Sequence, residues 1–371
     1  MHFERTLSRF SHASRCHGDT PAGSWSGQAS KWSDQFASQS NCVYVRGIDC
    51  DPRTAHSRQM NRQGAAPWRI ATRRPTRRHR QVSPLVSALR ARLPAERVIT
   101  DELRRLAYGT DASFYRLVPE VVAVVESEED VQHVLGAARA AGRPVTFRAA
   151  GTSLSGQAIS DGVLAVVGEG LATCDIASDG ATIRLGPGTI GGEANRRLVP
   201  FGRKIGPDPA SINTCKIGGI AANNASGMCC GTSQNSYRTL AGLRIVLADG
   251  SVVDSEDPAS LARFRVSHAG LLDDLARMGR ETRGDAALSG RIRHKFKIKN
   301  TTGYSLNALI DYEDPVDILA HLMIGSEGTL GFISRITYRT VPEDPCKASA
   351  LVFFPDIETA CQAVIRLKPQ P

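Results

Sequence analysis

Residues 148–157 combine small side chains, hydroxyl groups and two glycines directly after a short apolar stretch. Glycine tolerates positive φ angles, which let successive N–H groups point to one side, and small side chains let a ligand approach the backbone. This pattern favours a loop that binds a pyrophosphate, with the hydroxyls as further donors, although an ordinary surface turn has a similar composition. The candidate binding residues in this segment are Arg148, Ala150, Gly151, Thr152, Ser153, Leu154, Ser155, Gly156 and Gln157.

A second segment with few bulky side chains covers residues 215–227. Asn223 and Asn224 can each donate and accept hydrogen bonds, as the edge of a heteroaromatic ring requires. Gly218 and Gly219 predict a turn that leads into a short helix. The segment either wraps a flat ligand or packs two elements tightly, and its composition is equally consistent with both interpretations.

A third segment, residues 324–333, holds three glycines within seven residues and precedes a predicted strand over residues 332–338. Each of the three segments is tied to the end of a strand. One extended ligand that touches all three explains them better than three unrelated turns.

The elements between these segments alternate between strand and helix. Residues 121–125 form a continuous apolar run, which is typical of a strand covered on both faces. Ser127 predicts the N-cap of a helix with an acidic first turn, and Gly142 its end. We further predict helices near residues 83–93, 101–108, 193–199 and 269–283, and strands at residues 145–147, 163–167, 181–185, 240–247 and 251–253. This order indicates an α/β architecture with a β-α-β unit rather than a bundle or a sandwich.

The sequence G-x-G-x-x-G at residues 186–191 resembles a dinucleotide-binding fingerprint, but its context argues against that function. Pro187 removes an N–H group where the fingerprint needs one. In addition, no strand that ends in an acidic residue follows about 20 residues later. We therefore do not assign a Rossmann site.

The composition limits the possible partners. The length of 371 residues suggests more than one structural unit, because single cores rarely exceed about 250–300 residues. The entire net charge of +9 resides in residues 1–80, which contain 14 Lys+Arg and 5 Asp+Glu. The remainder is neutral, which argues against a nucleic-acid partner. We interpret residues 1–82 as a disordered basic tail.

Nine cysteines without CxxC spacing fit neither a disulfide framework nor a zinc or iron–sulfur site, so we predict reduced thiols and no metal. No run of about 18 apolar residues is present to span a membrane. We expect a cytoplasmic protein, with peripheral contact at the inner membrane as the alternative.

Four ordered motifs within residues 98–341 resemble a known family: RAAGTSLSGQ, PDPASINTCKIGGIAANNASGM, KNTTGYSLN and IGSEGTLGFI. They are similar to the flavin domain of vanillyl-alcohol-oxidase-type (PCMH-type) flavoproteins. Within that group they most resemble the branch that contains D-lactate dehydrogenases and the flavin-domain subunit of glycolate oxidase. The stretch between Tyr304 and Ile324 resembles the long members that are fused to an iron–sulfur unit, so we expect this chain to be truncated.

The resemblance implies an α+β fold of two subdomains with FAD between them. It places a helical lead-in at residues 83–115, subdomain 1 at residues 116–206 and subdomain 2 at residues 207–342. Residues 343–371 would begin a ferredoxin-like substrate cap, with a strand at residues 348–354 and a helix at residues 357–367.

The resemblance also implies roles for individual residues. Residues 148–157 would bind the FAD pyrophosphate, and the third segment would close the adenine side. No histidine lies in the loop region, so we predict non-covalent FAD. The catalytic residues are unknown and are expected in the cap. The implied cofactor-binding residues outside the first loop are Pro207, Asp208, Gly218, Gly219, Ala222, Asn223, Asn224, Gly227, Glu327, Gly328, Gly331 and Ile333.

The activity implied by the resemblance is oxidation of a D-2-hydroxy acid, such as D-lactate, by hydride transfer to flavin N5. Electrons would leave to a quinone, a cytochrome or a partner flavoprotein. Two alternatives remain: a flavin-binding fragment or subunit without catalysis, and a flavoprotein that oxidises another alcohol, a sugar or a cytokinin.

Overall fold

The computed structural model of the protein describes residues 83–346 and 351–367, and the predicted basic tail lies outside them. The strands are β1 (Val98–Ile99), β2 (Val121–Val125), β3 (Val145–Arg148), β4 (Val163–Val167), β5 (Cys174–Ile176), β6 (Thr182–Leu185), β7 (Arg203–Lys204), β8 (Leu240–Val246), β9 (Val252–Asp254), β10 (Phe332–Arg339) and β11 (Val341–Pro342). The helices are α1 (Pro84–Arg90), α2 (Glu102–Ala107), α3 (Glu128–Ala140), α4 (Gly191–Leu198), α5 (Ile217–Asn223), α6 (Ser236–Thr239), α7 (Pro258–Ser267), α8 (Ala269–Gly284), α9 (Ala286–Lys295), α10 (Ala308–Asp311), α11 (Pro315–Met323) and α12 (Ile357–Leu367).

The first sheet has the order β1-β2-β4-β3, in which β2 and β3 both run parallel to β4. The strands β2 and β4 are almost continuously buried, in agreement with their unbroken apolar sequences. The predicted β-α-β unit is present, but β4 lies between its two strands. The segment predicted as a helical lead-in also contributes β1, which pairs antiparallel with β2, so this part of the chain is not purely helical.

Local sequence signals account for the helix α3. Ser127 Oγ accepts a hydrogen bond from the N–H of Asp130 at 3.2 Å, and acidic side chains occupy the first turn. Val131 and Val134 are fully buried, and Gly142 takes a φ of 61° after the last turn. The predicted helix start and end are thereby confirmed.

The second sheet is antiparallel and has the order β5-β6-β10-β8-β9. The strand β10 lies at its centre and pairs with both β6 and β8. Gly250, with a φ of 89°, turns β8 into β9, while the N–H of Ser251 donates to Asp249 Oδ1 at 2.9 Å. The two strands predicted on either side of this turn are therefore present and pair as an antiparallel hairpin.

Side chains join the two sheets. Arg244 of β8 donates two hydrogen bonds, at 2.9 and 2.7 Å, to the carboxylate of Glu128 on α3. Burial would raise the pKa of Glu128, but the Arg244 guanidinium outweighs it and holds that pKa below its usual range. The rings of Phe147 and Phe332, at the ends of β3 and β10, lie 4.9 Å apart. The ends of strands from both sheets therefore lie next to each other.

The C-terminal part follows the prediction only in its helix. The helix α12 has the predicted bounds, whereas residues 351–354 are not in a strand and residues 347–350 lie outside the described chain. A ferredoxin-like cap is thus not shown. Along residues 83–346 and 351–367, no helix has the length and apolar character that a membrane span requires.

Candidate functional site

A cavity of about 460 Å³ lies where the three small-residue segments meet. Residues from β3 and its following loop, from α5 and from the segment before β10 form its wall. The predicted site residues that line it are Ala150, Gly151, Thr152, Ser153, Leu154, Ser155, Gln157, Gly218, Gly219, Ala222, Asn223, Glu327, Gly328, Gly331 and Ile333. Segments separated by more than 150 residues thus share one cavity.

The loop after β3 presents unpaired backbone donors. Gly151 takes a φ of 71°, which is the left-handed region that glycine enters without strain. In the described part of the chain, the N–H groups of Gly151, Thr152 and Ser153 have no acceptor. Consecutive N–H groups at a positive φ form a concave donor surface suited to an anion such as a phosphate.

Arg148 does not line the cavity, contrary to its predicted contact with the cofactor. Its Nη1 donates to the carbonyl of Thr110 at 2.7 Å and, at longer range, to those of Tyr108 and Ala158, at 3.3 and 3.4 Å. A Cβ at Gly151 would lie 2.5 Å from Arg148 Nη2, so the guanidinium packs directly behind the loop. Arg148 therefore supports the loop from behind and does not line the cavity.

Replacing Arg148 with methionine is expected to destabilise the folded chain by about 2 kcal/mol, because carbonyls lose a charged donor in a half-buried place. The change should appear as a lower urea midpoint of the cofactor-free protein, with the exposed Arg139→Met as control. A change in FAD affinity with unaltered stability would instead support the contact predicted from the sequence.

Two predicted residues, Asp208 before the second segment and Gly227 at its end, stabilise the loop that follows α5. The carboxylate of Asp208 accepts hydrogen bonds from the N–H groups of Gly227, Cys229 and Cys230 at 2.8, 3.1 and 3.3 Å. Burial acts against ionisation, but these donors outweigh it and hold the pKa of Asp208 below its usual range. A Cβ on Gly227 would collide with the Asp208 carbonyl. Asp208 and Gly227 thus close the loop behind the cavity wall and do not line it.

Three further predicted residues, Gly156, Pro207 and Asn224, also lie outside the lining. A Cβ on Gly156 would lie 3.0 Å from the ring of Tyr115. Asn224 ends α5 with a φ of 53°, and its Oδ1 accepts from the N–H of Tyr237 at 3.2 Å. Gly156 and Asn224 therefore make contacts behind the cavity wall.

The two glycines of α5 differ in their surroundings. Both lie inside the helix and not in a turn before it, which corrects the sequence prediction. A Cβ on Gly218 would lie 2.8 Å from Cβ of Pro187, whereas a Cβ on Gly219 would meet nothing closer than Ala149 Cβ at 3.4 Å. Gly218 is required for packing, and Gly219 leaves the cavity open.

Several lining residues were not predicted as site residues. Lys216 Nζ donates to the carbonyl of Val167 at 2.7 Å, and burial lowers the pKa of Lys216. Lys299 Nζ donates to the carbonyl of Ser226. The hydroxyls of Ser226 and Ser326 are buried and have no partner among the described residues. All four residues lie within the four family-like motifs, but nothing in the sequence distinguished them from their neighbours as lining residues.

The G-x-G-x-x-G segment serves packing. A Cβ on Gly186 would collide with the Leu171 carbonyl, and one on Gly188 would lie 2.7 Å from the Gly168 carbonyl. Of residues 186–191, only Pro187 lines the cavity in the described part of the chain. In residues 83–346 and 351–367, no group of three or more His, Cys, Asp or Glu side chains could hold a metal ion.

Part of the chain is similar to known proteins. Residues 119–256 match the family described as FAD binding domain. The D-2-hydroxyglutarate dehydrogenase of Pantoea ananatis is 27% identical over 249 residues, which cover 64% of this chain and 24% of that protein. Glycolate oxidase subunit GlcD of Escherichia coli K12 is 26% identical over 283 residues, which cover 76% of this chain and 46% of GlcD.

The D-lactate dehydrogenase of Archaeoglobus fulgidus is 26% identical over 252 residues, which cover 67% of this chain and 44% of that enzyme. A solved structure of alkyldihydroxyacetonephosphate synthase is 17% identical in sequence, with a TM-score of 0.47. The match covers 70% of this chain and 40% of the synthase chain. The chain thus spans less than half the length of each of these relatives.

Proposed function

We propose that the chain binds FAD non-covalently in the cavity described above. Residues 119–256 form an FAD-binding domain of the PCMH type. The chain is also a distant homologue of GlcD and of D-lactate and D-2-hydroxyglutarate dehydrogenases. The observation that carries this proposal is the convergence of three separate segments on one cavity, with unpaired N–H groups at one of them. We assign the pyrophosphate to the N–H groups of Gly151, Thr152 and Ser153.

The remaining lining also fits FAD. The face of α5 at Gly219 carries no side chain that would exclude a flat ring. The buried hydroxyls of Ser226 and Ser326 lack partners among the described residues, and FAD offers ribityl and ring atoms that can pair with them. Two lysines, Lys216 and Lys299, add positive charge to a wall that would hold an anionic cofactor.

When bound, FAD would supply a two-electron acceptor for the hydride of an alcohol carbon. We propose that the substrate is a D-2-hydroxy acid such as D-lactate, because three of the relatives are named for 2-hydroxy acids: D-2-hydroxyglutarate, glycolate and D-lactate. The product would be the 2-oxo acid, and electrons would pass on to a quinone, a cytochrome or a partner flavoprotein. The role of this chain's described residues is to bind and orient the cofactor.

A second candidate is a flavin-binding module without activity of its own. It is favoured by the state of the ionisable groups in the described lining. Lys216 and Lys299 both donate to carbonyls, and Glu327 accepts from Asn223, so each already has a protein partner. These contacts use the three groups to hold the cavity wall, which favours a binding role over proton transfer. An oxidase of another alcohol on the same fold remains the third candidate.

We expect the purified chain to be yellow, and acid precipitation to release all of its flavin into the supernatant. Bleaching of the flavin absorption on anaerobic addition of D-lactate would support the dehydrogenase, and L-lactate is the matched control. Yellow protein that bleaches with neither supports the module, and bleaching by another alcohol supports the third candidate. Flavin that stays with the precipitate contradicts non-covalent binding, and protein that binds no added FAD contradicts the proposal.

A further inference from the structure

We propose that Glu327 is a positioning residue that fastens the three cavity segments to one another. Its carboxylate is engaged by the protein and does not bind the cofactor directly. The part of this inference that concerns FAD affinity rests on the proposed function, whereas the part that concerns the cavity wall does not.

The backbone around Glu327 joins the third segment to α5. The N–H of Gly325 donates to the carbonyl of Ala221 at 3.1 Å, and the N–H of Glu327 donates to that of Ala222 at 2.8 Å. The last carbonyls of a helix lack partners within the helix, so the bond from Glu327 pairs the carbonyl of Ala222. The carbonyl of Ala221 also accepts from the N–H of Asn224 at 3.0 Å, so the bond from Gly325 is its second. The third segment thereby caps the C-terminal end of the helix whose glycine faces the cavity.

This capping requires an unusual conformation at Glu327. Its φ is 53°, which side chains other than glycine and asparagine rarely adopt. Such a conformation persists only where neighbouring interactions stabilise it. The side chain of Glu327 supplies interactions of this kind.

The carboxylate links the other two segments. Asn223 Nδ2 of α5 donates to Glu327 Oε1 at 2.6 Å. The Gln157 side chain of the first loop also interacts with the Glu327 carboxylate and acts to lower its pKa, and Ser153 Oγ in turn donates to Gln157 Oε1. One carboxyl group therefore connects the first loop, the helix α5 and the segment before β10.

The electrostatics favour this role over direct contact with the cofactor. Burial raises the pKa of Glu327, and the hydrogen bonds from Asn223 and Gln157 oppose that effect. A carboxylate without protein donors in this cavity wall would disfavour an anionic cofactor, since like charges repel. The side-chain amides of Asn223 and Gln157 instead stabilise the negative charge of Glu327, which makes the carboxylate part of the cavity wall.

Hydrogen–deuterium exchange of the full chain without added FAD tests the inference. In Glu327→Ala we expect the amides of Ser155 and Gln157, which donate to Ser153 Oγ, and those of the C-terminal half of α5 to exchange about tenfold faster than in the wild type, because the link between the two regions is lost. Glu313→Ala removes an exposed carboxylate elsewhere and should leave both regions unchanged. If Glu327→Ala does not fold, Glu327→Gln is measured on the same two regions, since its amide is uncharged and has a donor in place of one of the two acceptor oxygens.

FAD affinity, measured by quenching of flavin fluorescence, separates the explanations. Faster exchange in both regions together with weaker FAD binding supports the inference. Weaker FAD binding with unchanged exchange would mean that Glu327 contacts the cofactor. Faster exchange confined to residues 325–329 would mean that Glu327 has a purely local role. Either result overturns the inference. Should the wild type bind no FAD, the proposed function fails, while the exchange data still decide the role of Glu327.

Discussion

Replacing Gly219 with leucine is expected to weaken FAD binding by about a hundredfold or more, which corresponds to about 3 kcal/mol of binding free energy. The physical reason is space. A Cβ at this position has no neighbour closer than 3.4 Å, so a larger side chain extends into the cavity. Leucine is a good helix former, and α5 therefore should keep its structure. Titration with FAD, followed by flavin fluorescence, measures the loss.

The adjacent glycine provides the matched control. Gly218→Ala places a methyl group 2.8 Å from Pro187 Cβ, which should destabilise the cofactor-free protein by about 1–3 kcal/mol through overpacking. Gly219→Leu should leave the stability of the cofactor-free protein nearly unchanged. Urea unfolding without FAD distinguishes the two variants. Unaltered FAD affinity in Gly219→Leu would show that the cofactor does not lie against this face of α5.

Gly218 and Gly219 show what the sequence alone could not predict about the site. Gly218 and Gly219 are chemically identical neighbours, and the sequence left ligand contact and tight packing equally open for their segment. The structure divides the two roles between them, because Pro187, which lies about 30 residues earlier, packs against only one. Such a contact between distant residues leaves no local signal in the chain.

Elements with strong local signals were predictable. The apolar run of β2 and the capped, acidic start of α3 gave bounds that agree closely with the structure. Strand order was not predictable in the same way, because the position of β4 between β2 and β3 depends on pairing of distant segments. The entry of β1 into that sheet depends on the same kind of pairing.

The candidate site shows the same division. The small-residue composition of the three segments indicated which parts of the chain could approach a ligand, and they share one cavity. Composition did not indicate which polar residues face inward. Arg148 and Asp208 carry charges that suggested ligand contact, but both bind backbone groups of their own surroundings. Loops without regular hydrogen bonding need such internal partners.

A buried histidine behind the site should make the protein sensitive to acid. His321 is 7% exposed and stacks on Tyr312, with ring centroids 3.8 Å apart, while Tyr237 meets it edge-on. Its Nδ1 lies 2.8 Å from the carbonyl oxygen of Asp317. Burial lowers the pKa of His321 to about 4; Arg339 and Arg238 act in the same direction, against the Asp317 carbonyl and Asp311.

The direction of the pH effect follows from this lowered pKa. Between the unfolded value of about 6.5 and the folded value, the unfolded chain binds the proton and the folded chain does not. The contribution to stability is therefore complete above that window and declines as the pH falls through it, by about 3 kcal/mol in total. His321→Phe keeps the aromatic packing and removes the proton site, so it should lose less stability than the wild type between about pH 7 and about pH 4.5.

Urea unfolding of both proteins at the two pH values measures this difference, which we expect to be about 2 kcal/mol. His294→Gln, at an exposed position, is the matched control and should follow the wild type. Equal losses in His321→Phe and the wild type would contradict a buried neutral histidine. Because Tyr237 contacts His321 and donates its N–H to Asn224 at the end of α5, protonation of His321 disturbs the packing directly behind the cavity. Release of FAD on acidification should therefore begin at a lower pH in His321→Phe than in the wild type.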